Sequence, residues 1–384
     1  MLKISRKERI LREKAQRRQA ERQAEAFYSM SQWQLIKMRF ARNRLAVVGL
    51  ITLCVIYFIA AFCEFHAPYD PNKVDQTRMN VAPQSLRFVS DEGFSLRPFV
   101  YGLKQGYDEV TYKPTYEIVK DTKYYLRFFV HGDEYKLWGL FSSDIHLFGA
   151  DEGQVYLAGT DRLGRDLFSR MIHGTRISCS IGLIGIFISF MLGLLIGGIS
   201  GYFGGVVDNI LTRFIDFVIS LPTLPLWMAM SAAVPADWPV VKVYFSIVII
   251  LSLISWPGLA RVVRSKFLSL KNEDYVRAAR VVGASDMRVI FLHMVPMFTS
   301  HLVASLTLSI PGMILGETSL SFLGIGLRPP AVSWGVLLSE AQSIRNVALY
   351  PWTLIPGVFI IITVMSFNFM GDGLRDAADP YSAI

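Results

Sequence analysis

The sequence contains no Gly-Lys pair. It therefore lacks the loop in which backbone amides and a lysine cradle phosphates, the usual route to ATP binding. It has no His-Glu-x-x-His and no Gly-x-Ser-x-Gly, and holds only six histidines in 384 residues. These absences exclude the commonest zinc-peptidase and serine-hydrolase chemistries. Charged residues make up 18% of the chain, and few of them fall within its apolar runs. No catalytic constellation of an intramembrane enzyme emerges. If the protein drives uphill transport, the energy comes from another chain or an ion gradient. The three cysteines, Cys54, Cys63 and Cys179, fit neither a metal spacing nor a disulfide framework and read as buried structural thiols. Cys63 and Cys179 both fall near outer ends of apolar runs, which leaves a pairing open.

Apolar residues are abundant: 52% of the chain, with a mean hydropathy of +0.37. A membrane span needs ~20 mainly apolar residues to cross a ~30 Å core. Six runs qualify, near 45–63, 177–201, 210–234, 243–264, 298–323 and 352–370. A soluble bundle does not bury six such runs. The expected fold class is an all-α polytopic membrane protein with six transmembrane helices. No small-x-small cleavage site follows the first run, so it reads as a retained signal-anchor span.

The positive charge is local. Residues 1–45 carry thirteen Lys/Arg against four Asp/Glu, and the remainder is close to neutral. Residues 1–27 form a basic tail, read as a solvated segment that sets topology and touches anionic lipid rather than nucleic acid. From Tyr28, apolar residues including Trp33 and Phe40 alternate with Lys37, Arg39, Arg42 and Arg44. That pattern suits an amphipathic helix in the headgroup region, leading into the first span over 28–63. The positive-inside rule puts this end in the cytoplasm, and six spans return the C-terminus there. The segment 265–296, also basic, falls on the same side.

Residues 64–158 form a long outer insertion. Tyr124–Val130 and Tyr135–Phe141 read as strands around a His-Gly-Asp-Glu turn, and Thr115–Val119 adds another. A lone hairpin is marginal, so a small β-rich cap of three or more strands is expected.

Within 265–296, Tyr275, Ala278, Ala279 and Val282 recur at i, i+3, i+4, i+7, one face of a helix, and Gly283 follows where a C-terminal stop belongs. A short helix with a small-residue face, held by two spans, is a docking surface for a protein on that side. In the fifth run, Glu317 is an acid at membrane depth. A charge there costs ~2.5–3.5 kcal/mol on insertion scales, so it faces protein or a wet cavity. It is either a pathway or gate residue, or a structural contact to hydroxyls of neighbouring helices. Pro222 and Pro225, and Trp256-Pro257, interrupt helical hydrogen bonding in the third and fourth runs. Gly193, Gly197, Gly198, Gly201, Gly204 and Gly205 suit close helix packing. Gly159-Thr-Asp-Arg-Leu-Gly-Arg-Asp-Leu-Phe-Ser-Arg170 reads as a turn and a charged helix start lying on the membrane surface.

Several of these stretches resemble one family. Ala278, Ala279, Gly283 and Pro296 fall at the spacings of the Glu-Ala-Ala loop of bacterial ABC importer permeases. Arg277 replaces the usual Glu, and His293 and Val295 stand where Ile and Leu are usual. Gly159–Asp166, with Asp161, Gly164, Arg165 and Asp166, is similar to the Gly-Thr-Asp-x-x-Gly-Arg-Asp segment of C-type subunits of dipeptide, oligopeptide and nickel permeases. Leu320–Gly326, Ser333-Trp-Gly335 and Asn368–Asp376 also match. The resemblance covers 28–63 and 159–384, the permease core; 64–158 is longer than in typical members. It implies a type I importer permease in the bacterial inner membrane. Its partners would be a second permease subunit, two ATPase subunits and a periplasmic solute-binding protein. ATP and Mg would be held by the ATPases, and this chain would carry no cofactor, metal or catalytic group. The coupling surface would include Glu273, Tyr275, Ala278, Ala279, Gly283, Ala284 and Asp286. Short peptides are the implied substrate, with oligosaccharides as the alternative. A self-sufficient secondary transporter would instead show inverted repeats and coupling-ion acids near midplane, and only Glu317 is a central acid.

Overall fold

The computed structural model describes residues 31–379, apart from 92, 110, 111, 113, 151 and 236. The basic tail and the start of the expected interfacial helix lie outside the described residues. Helix α1, Gln32–Arg42, opens on a capping box: the Ser31 hydroxyl accepts from the Gln34 amide, and Gln34 Oε1 accepts from the Ser31 amide at 2.9 Å. Asn43 ends α1 and caps α2, Arg44–Ala61, through its Oδ1 to the Ala46 amide at 3.2 Å.

Helix α3 spans Leu167–Phe203, ten residues earlier than the apolar run suggested. The charged motif before it is therefore no separate surface helix. Its last four residues are the first turn of the span itself, capped by Asp166, whose carboxylate accepts from the Ser169 amide at 2.7 Å. The third apolar run does not form one span. It divides into α4, Gly205–Ser220, and α5, Thr223–Ala232, bent by 83° at the break. Leu221 is extended and Pro222 opens α5, as the residue before a proline is pushed out of the helical region. Helix α6, Val240–Leu270, by contrast runs through Pro257 without a break. A short helix α7, Asp274–Val281, precedes α8, Asp286–Phe322, which contains one π-helical stretch, Val289–Met294. Then come α9, Trp334–Ser339, and α10, Ile355–Ala378. Among the described residues five helical segments are long and apolar enough to cross a membrane, and the bent pair α4–α5 makes a sixth if counted as one span.

The bundle core is layered. Ile181 of α3, Ile247, Val248 and Leu251 of α6, and Met313 and Leu320 of α8 make one buried cluster. Leu53 and Ile56 of α2 pack with Ile310 and Ile314 of α8 and Phe367 of α10 in a second. Helices α3 and α6 approach most closely. A Cβ on Gly197 would stand 2.3 Å from the Ala260 carbonyl oxygen, and one on Gly201 2.7 Å from that of Arg264, so only glycine permits this contact. Gly204 and Gly205 serve differently: both have positive φ and turn the chain from α3 into α4.

Residues 87–150 form a four-stranded antiparallel meander: β1 Arg87–Ser90, β2 Gly93–Tyr107, β3 Pro114–Leu137 and β4 Phe141–Ala150. Thr115–Val119, Tyr124–Val130 and the first half of Tyr135–Phe141 all lie in the one strand β3, and the expected strand Tyr135–Phe141 itself contains the turn. Strand β3 continues through His131-Gly-Asp-Glu134, which is a bulge between His131 and Tyr135 rather than a hairpin turn. Two contacts hold it extended. Lys73 Nζ bonds Asp133 at 2.5 Å, and the buried His146 ring bonds the Asp133 and Ala67 carbonyls at 2.9 and 2.6 Å. Burial opposes the charge on Asp133, but the Lys73 ammonium and the Asp70 amide hold its carboxyl below the ordinary value. The hairpin turns instead at Trp138-Gly139-Leu140, with positive φ at Trp138 and Gly139. The sheet meets the bundle where α2 ends and α3 begins: Trp138 Nε1 donates to the Ala61 carbonyl at 2.7 Å, and the Phe148 and Phe168 rings meet at 5.5 Å.

Helix α7 sits at the opposite end. Val276 is fully buried with Tyr202 of α3, Val263 and Phe267 of α6, and Met294 and Phe298 of α8. Cys63 and Cys179 are both buried and free, so they are not paired.

Candidate functional site

Three sites carry the chemistry-bearing residues. The first is α7. Glu273 stands at its N-cap position, Asp274 lies in its first turn and Arg280 in its last, which complements the helix dipole. Its C-terminus is a Schellman motif: the Gly283 amide donates to the Arg280 carbonyl at 2.9 Å and the Ala284 amide to that of Ala279 at 3.0 Å, with Gly283 at φ +85°. Val276 and Arg280 fix the helix to the bundle, the Arg280 guanidinium lying 4.8 Å over the Tyr202 ring. Tyr202 also donates its hydroxyl to Asp286 at the start of α8. This division modifies the sequence reading. Ala279 and Ala284 are half-buried against the chain's own core, whereas Tyr275, Ala278, Val281 and Val282 are exposed. Val282 is 87% exposed, an unusual state for a large aliphatic side chain beside a fixed turn. The free face is thus one edge of the expected stripe, and Val281 extends it.

The second site is the motif Gly159–Asp166. The Asp161 carboxylate accepts from the Leu163 and Arg165 amides at 2.8 and 3.0 Å and from Arg165 Nε at 2.7 Å. It also pairs with Arg170, which is fully buried. Glu340, just beyond α9, accepts from both arginines, at 2.9 Å from Arg165 and 3.0 Å from Arg170. Two carboxylates and two guanidiniums thus neutralise one another out of water, the condition for burying such charges. Thr160 donates to the Arg78 carbonyl at 2.5 Å and accepts from the Val81 amide at 2.7 Å, and its own carbonyl receives Trp352 Nε1 at 3.0 Å. A Cβ on Gly164 would collide with the Asp75 carbonyl at 1.8 Å. The motif therefore fastens the 75–81 segment, the start of α3, α9 and the approach to α10 together. Sequence reading found Asp161, Gly164, Arg165 and Asp166 but gave no role to Glu340 or Arg170. Glu340 lies 175 residues from Arg165, beyond any spacing argument.

The third is Glu317, fully buried in α8. Its Oε1 accepts from Ser321 at 2.8 Å and Ser333 at 2.7 Å, and its Oε2 from Ser178 of α3 at 3.3 Å. Each serine in turn accepts a backbone amide from the chain that follows α8: Leu327 on Ser321 at 3.0 Å, Trp334 on Ser178 at 3.1 Å and Val336 on Ser333 at 3.2 Å. Glu317 thus gathers three hydroxyls that hold the re-entry of the chain into the bundle. That is the arrangement of a structural contact to hydroxyls, one of the two alternatives for this acid.

A family model described as the inner membrane component of binding-protein-dependent transport systems matches residues 193–381, and one for the N-terminal TM domain of oligopeptide transport permease C matches 31–83. The oligopeptide transport system permease protein OppC of Haemophilus influenzae is 33% identical over 91% of this chain and 89% of its own length. The chain belongs to this family of ABC importer permeases. OppC of Bacillus subtilis is 31% identical over 92% of this chain and 90% of its own. The dipeptide permease protein DppC of H. influenzae is 39% identical over 59% of this chain and 74% of its own. Among solved structures, the MetNI methionine ABC transporter in an inward-facing conformation aligns at TM-score 0.44 and 18% identity, covering 55% of this chain and 97% of that one. As a permease of this family the chain is a multi-pass inner-membrane protein. Both α7 and Glu317 lie within the stretch matched by the transport-component model, whereas neither model reaches 84–192, which holds the sheet and the Asp161–Arg170 part of the network.

Proposed function

We propose that this permease forms one half of a peptide-conducting pore, and that α7 transmits the closure of an ATPase pair to the spans. The observation that carries the coupling role is the division of α7: Val276 locked in the bundle, Ala278 and Val282 free. A helix fixed along one edge and bare along the other passes a push to α3, α6 and α8 without folding away. ATP and Mg belong to the two partner ATPases. A sister permease completes the pathway, and a periplasmic solute-binding protein delivers the substrate. Short peptides are the substrate class, supported by the oligopeptide and dipeptide relatives. Reconstitution with those partners is expected to give ATP-dependent uptake of a labelled tripeptide. Uptake of an oligosaccharide with no peptide transport would overturn the substrate assignment.

The α7 end is cytoplasmic and the sheet periplasmic, a reading supported by the two basic segments 1–45 and 265–296. A membrane-impermeant maleimide should label Val282→Cys only after the inner membrane is opened. Labelling in intact spheroplasts would reverse this topology.

The sheet acts as a cap that touches the binding protein or the sister permease. The removable part is narrower than the whole insertion, because 75–84 is bound into the Asp161 network. Gln84 and Tyr156 mark the natural cut: the Gln84 amide donates to the Tyr156 carbonyl at 2.9 Å, and the Tyr156 amide to Gln84 Oε1 at 2.8 Å. Replacing 86–151 with a short Gly-Ser bridge should leave insertion intact and lower binding-protein-stimulated ATP hydrolysis. Full stimulation in the deleted protein would make the cap dispensable.

A further inference from the structure

The tip of the β3–β4 hairpin is apolar and lies beside the end of α2. From Leu137 to Ser143 the chain is uncharged, with Lys136 and Asp144 on either side. Trp138, Leu140 and Phe141 at the tip are 52%, 76% and 62% exposed. The tip is not free in space. Trp138 Nε1 is tied to the carbonyl of Ala61, the last residue of α2, so the tip sits level with the end of a membrane span.

A continuous aromatic path leads from that span to the tip. Phe58 lies on the exposed face of α2 together with Ile51 and Val55, an apolar stripe on a helix long and apolar enough to cross a membrane. Its ring lies 5.1 Å from Phe62, and Phe62 lies 5.4 Å from Trp138. A second strand position points the same way. Phe129 is exposed, stands 6.3 Å from Phe65, and adopts a positive φ, as does Trp138. Bulky residues rarely take that backbone conformation, and here neither gains full burial within the chain. Aromatic side chains concentrate at the membrane–water boundary, where an apolar body and a polar tip are both accommodated.

We infer that the β3–β4 hairpin tip inserts into the bilayer, at the headgroup and upper acyl level of the leaflet where α2 ends. The hairpin is then a second, non-helical membrane contact of this permease, and it holds the sheet at a fixed height over the bundle. The occupant is lipid because the tip continues the exposed apolar stripe of a membrane-spanning helix and carries no charge to pair with a protein partner.

Spin labels test this in the full-length permease carrying Cys54→Ser, since Cys63 and Cys179 are buried. Labels are placed at Leu140→Cys, at Ile51→Cys as a lipid reference, and at Lys120→Cys as a water reference. Lys120 is exposed and pairs with Asp91 elsewhere in the sheet. The protein is studied in phosphatidylethanolamine–phosphatidylglycerol vesicles, alone and with its partner subunits. The Leu140 label is expected to be relaxed by oxygen and to lose relaxation by a water-soluble nickel chelate, as the Ile51 label does. The Lys120 label should keep its nickel response. A Leu140 label as open to nickel as Lys120, with Ile51 still protected, would overturn the inference while leaving the membrane reading of α2 intact. Protection at Leu140 that arises only when partner subunits are added would also overturn it, by assigning the tip to a protein contact.

Discussion

Ala278→Asp is expected to abolish uptake while the chain inserts and folds as before. Ala278 is exposed on α7, beside Tyr275 and Val282, and its side chain makes no contribution to the core that fixes the helix. A carboxylate placed there must lose its water when the face is covered by a partner. Hydrolysis by the assembled complex should continue without transport. Ala279→Asp is a poorer probe, because Ala279 packs against the chain's own cluster and its loss would also weaken the bundle. Gly283→Val tests the same surface through the backbone. No heavy atom lies within 4 Å of the added Cβ, so the cost is conformational, about 1–2 kcal/mol for a left-handed residue. It should fray the Schellman turn and lower uptake in part. Wild-type transport by Ala278→Asp in vesicles with the partner subunits would remove α7 from the coupling path.

Removing Arg170 should prevent stable accumulation of the protein. Its guanidinium is fully buried and shared between Asp161 and Glu340. Arg170→Ala leaves two buried carboxylates facing Arg165 alone, and breaking a buried pair in this way costs about 3–5 kcal/mol. Marginal stability makes that a large fraction of the total. The double variant Arg170→Ala with Asp161→Asn removes one of the stranded charges and should recover part of the loss, which would show coupling between the two sites. Yield after membrane extraction and thermal unfolding in detergent measure both effects. Wild-type yield and melting for Arg170→Ala would mean that the Asp161 network is not a structural fastening.

What the sequence disclosed follows from the range of the forces involved. Spans α2, α3, α6, α8 and α10 were visible because ~20 apolar residues in a row have few other fates. Helix α7 was visible because its periodicity and its terminal Gly283 are local signals. Its orientation was not, because Val276 is buried by residues of α3, α6 and α8 that no local pattern connects. The turn misplaced at His131–Glu134 has the same cause: a Gly-Asp pair favours a turn in isolation, but Lys73 and His146 reach it from outside and hold it as strand. Pro222 and Pro225 mark an interruption of the third apolar run, but no local pattern fixes the 83° angle of the break. Glu317 was conspicuous as an acid in an apolar run. Its serine partners were already present in the Leu320–Gly326 and Ser333–Gly335 motifs, but only the fold joins them to Ser178.

The glycine contact between α3 and α6 sets a mechanical limit. At Gly197 the backbones of α3 and α6 meet directly, and at Gly201 the α3 backbone lies against the Arg264 backbone and the Phe267 Cβ, which leaves little room for one helix to slide or roll on the other. The contact joins α3, whose first turn carries Arg170 of the Asp161 network, to α6, whose Val263 and Phe267 pack against Val276. In the coupling role proposed for α7, a push there would move α3 and α6 together, and the third apolar run, already broken at Pro222, is the place where the bundle could bend.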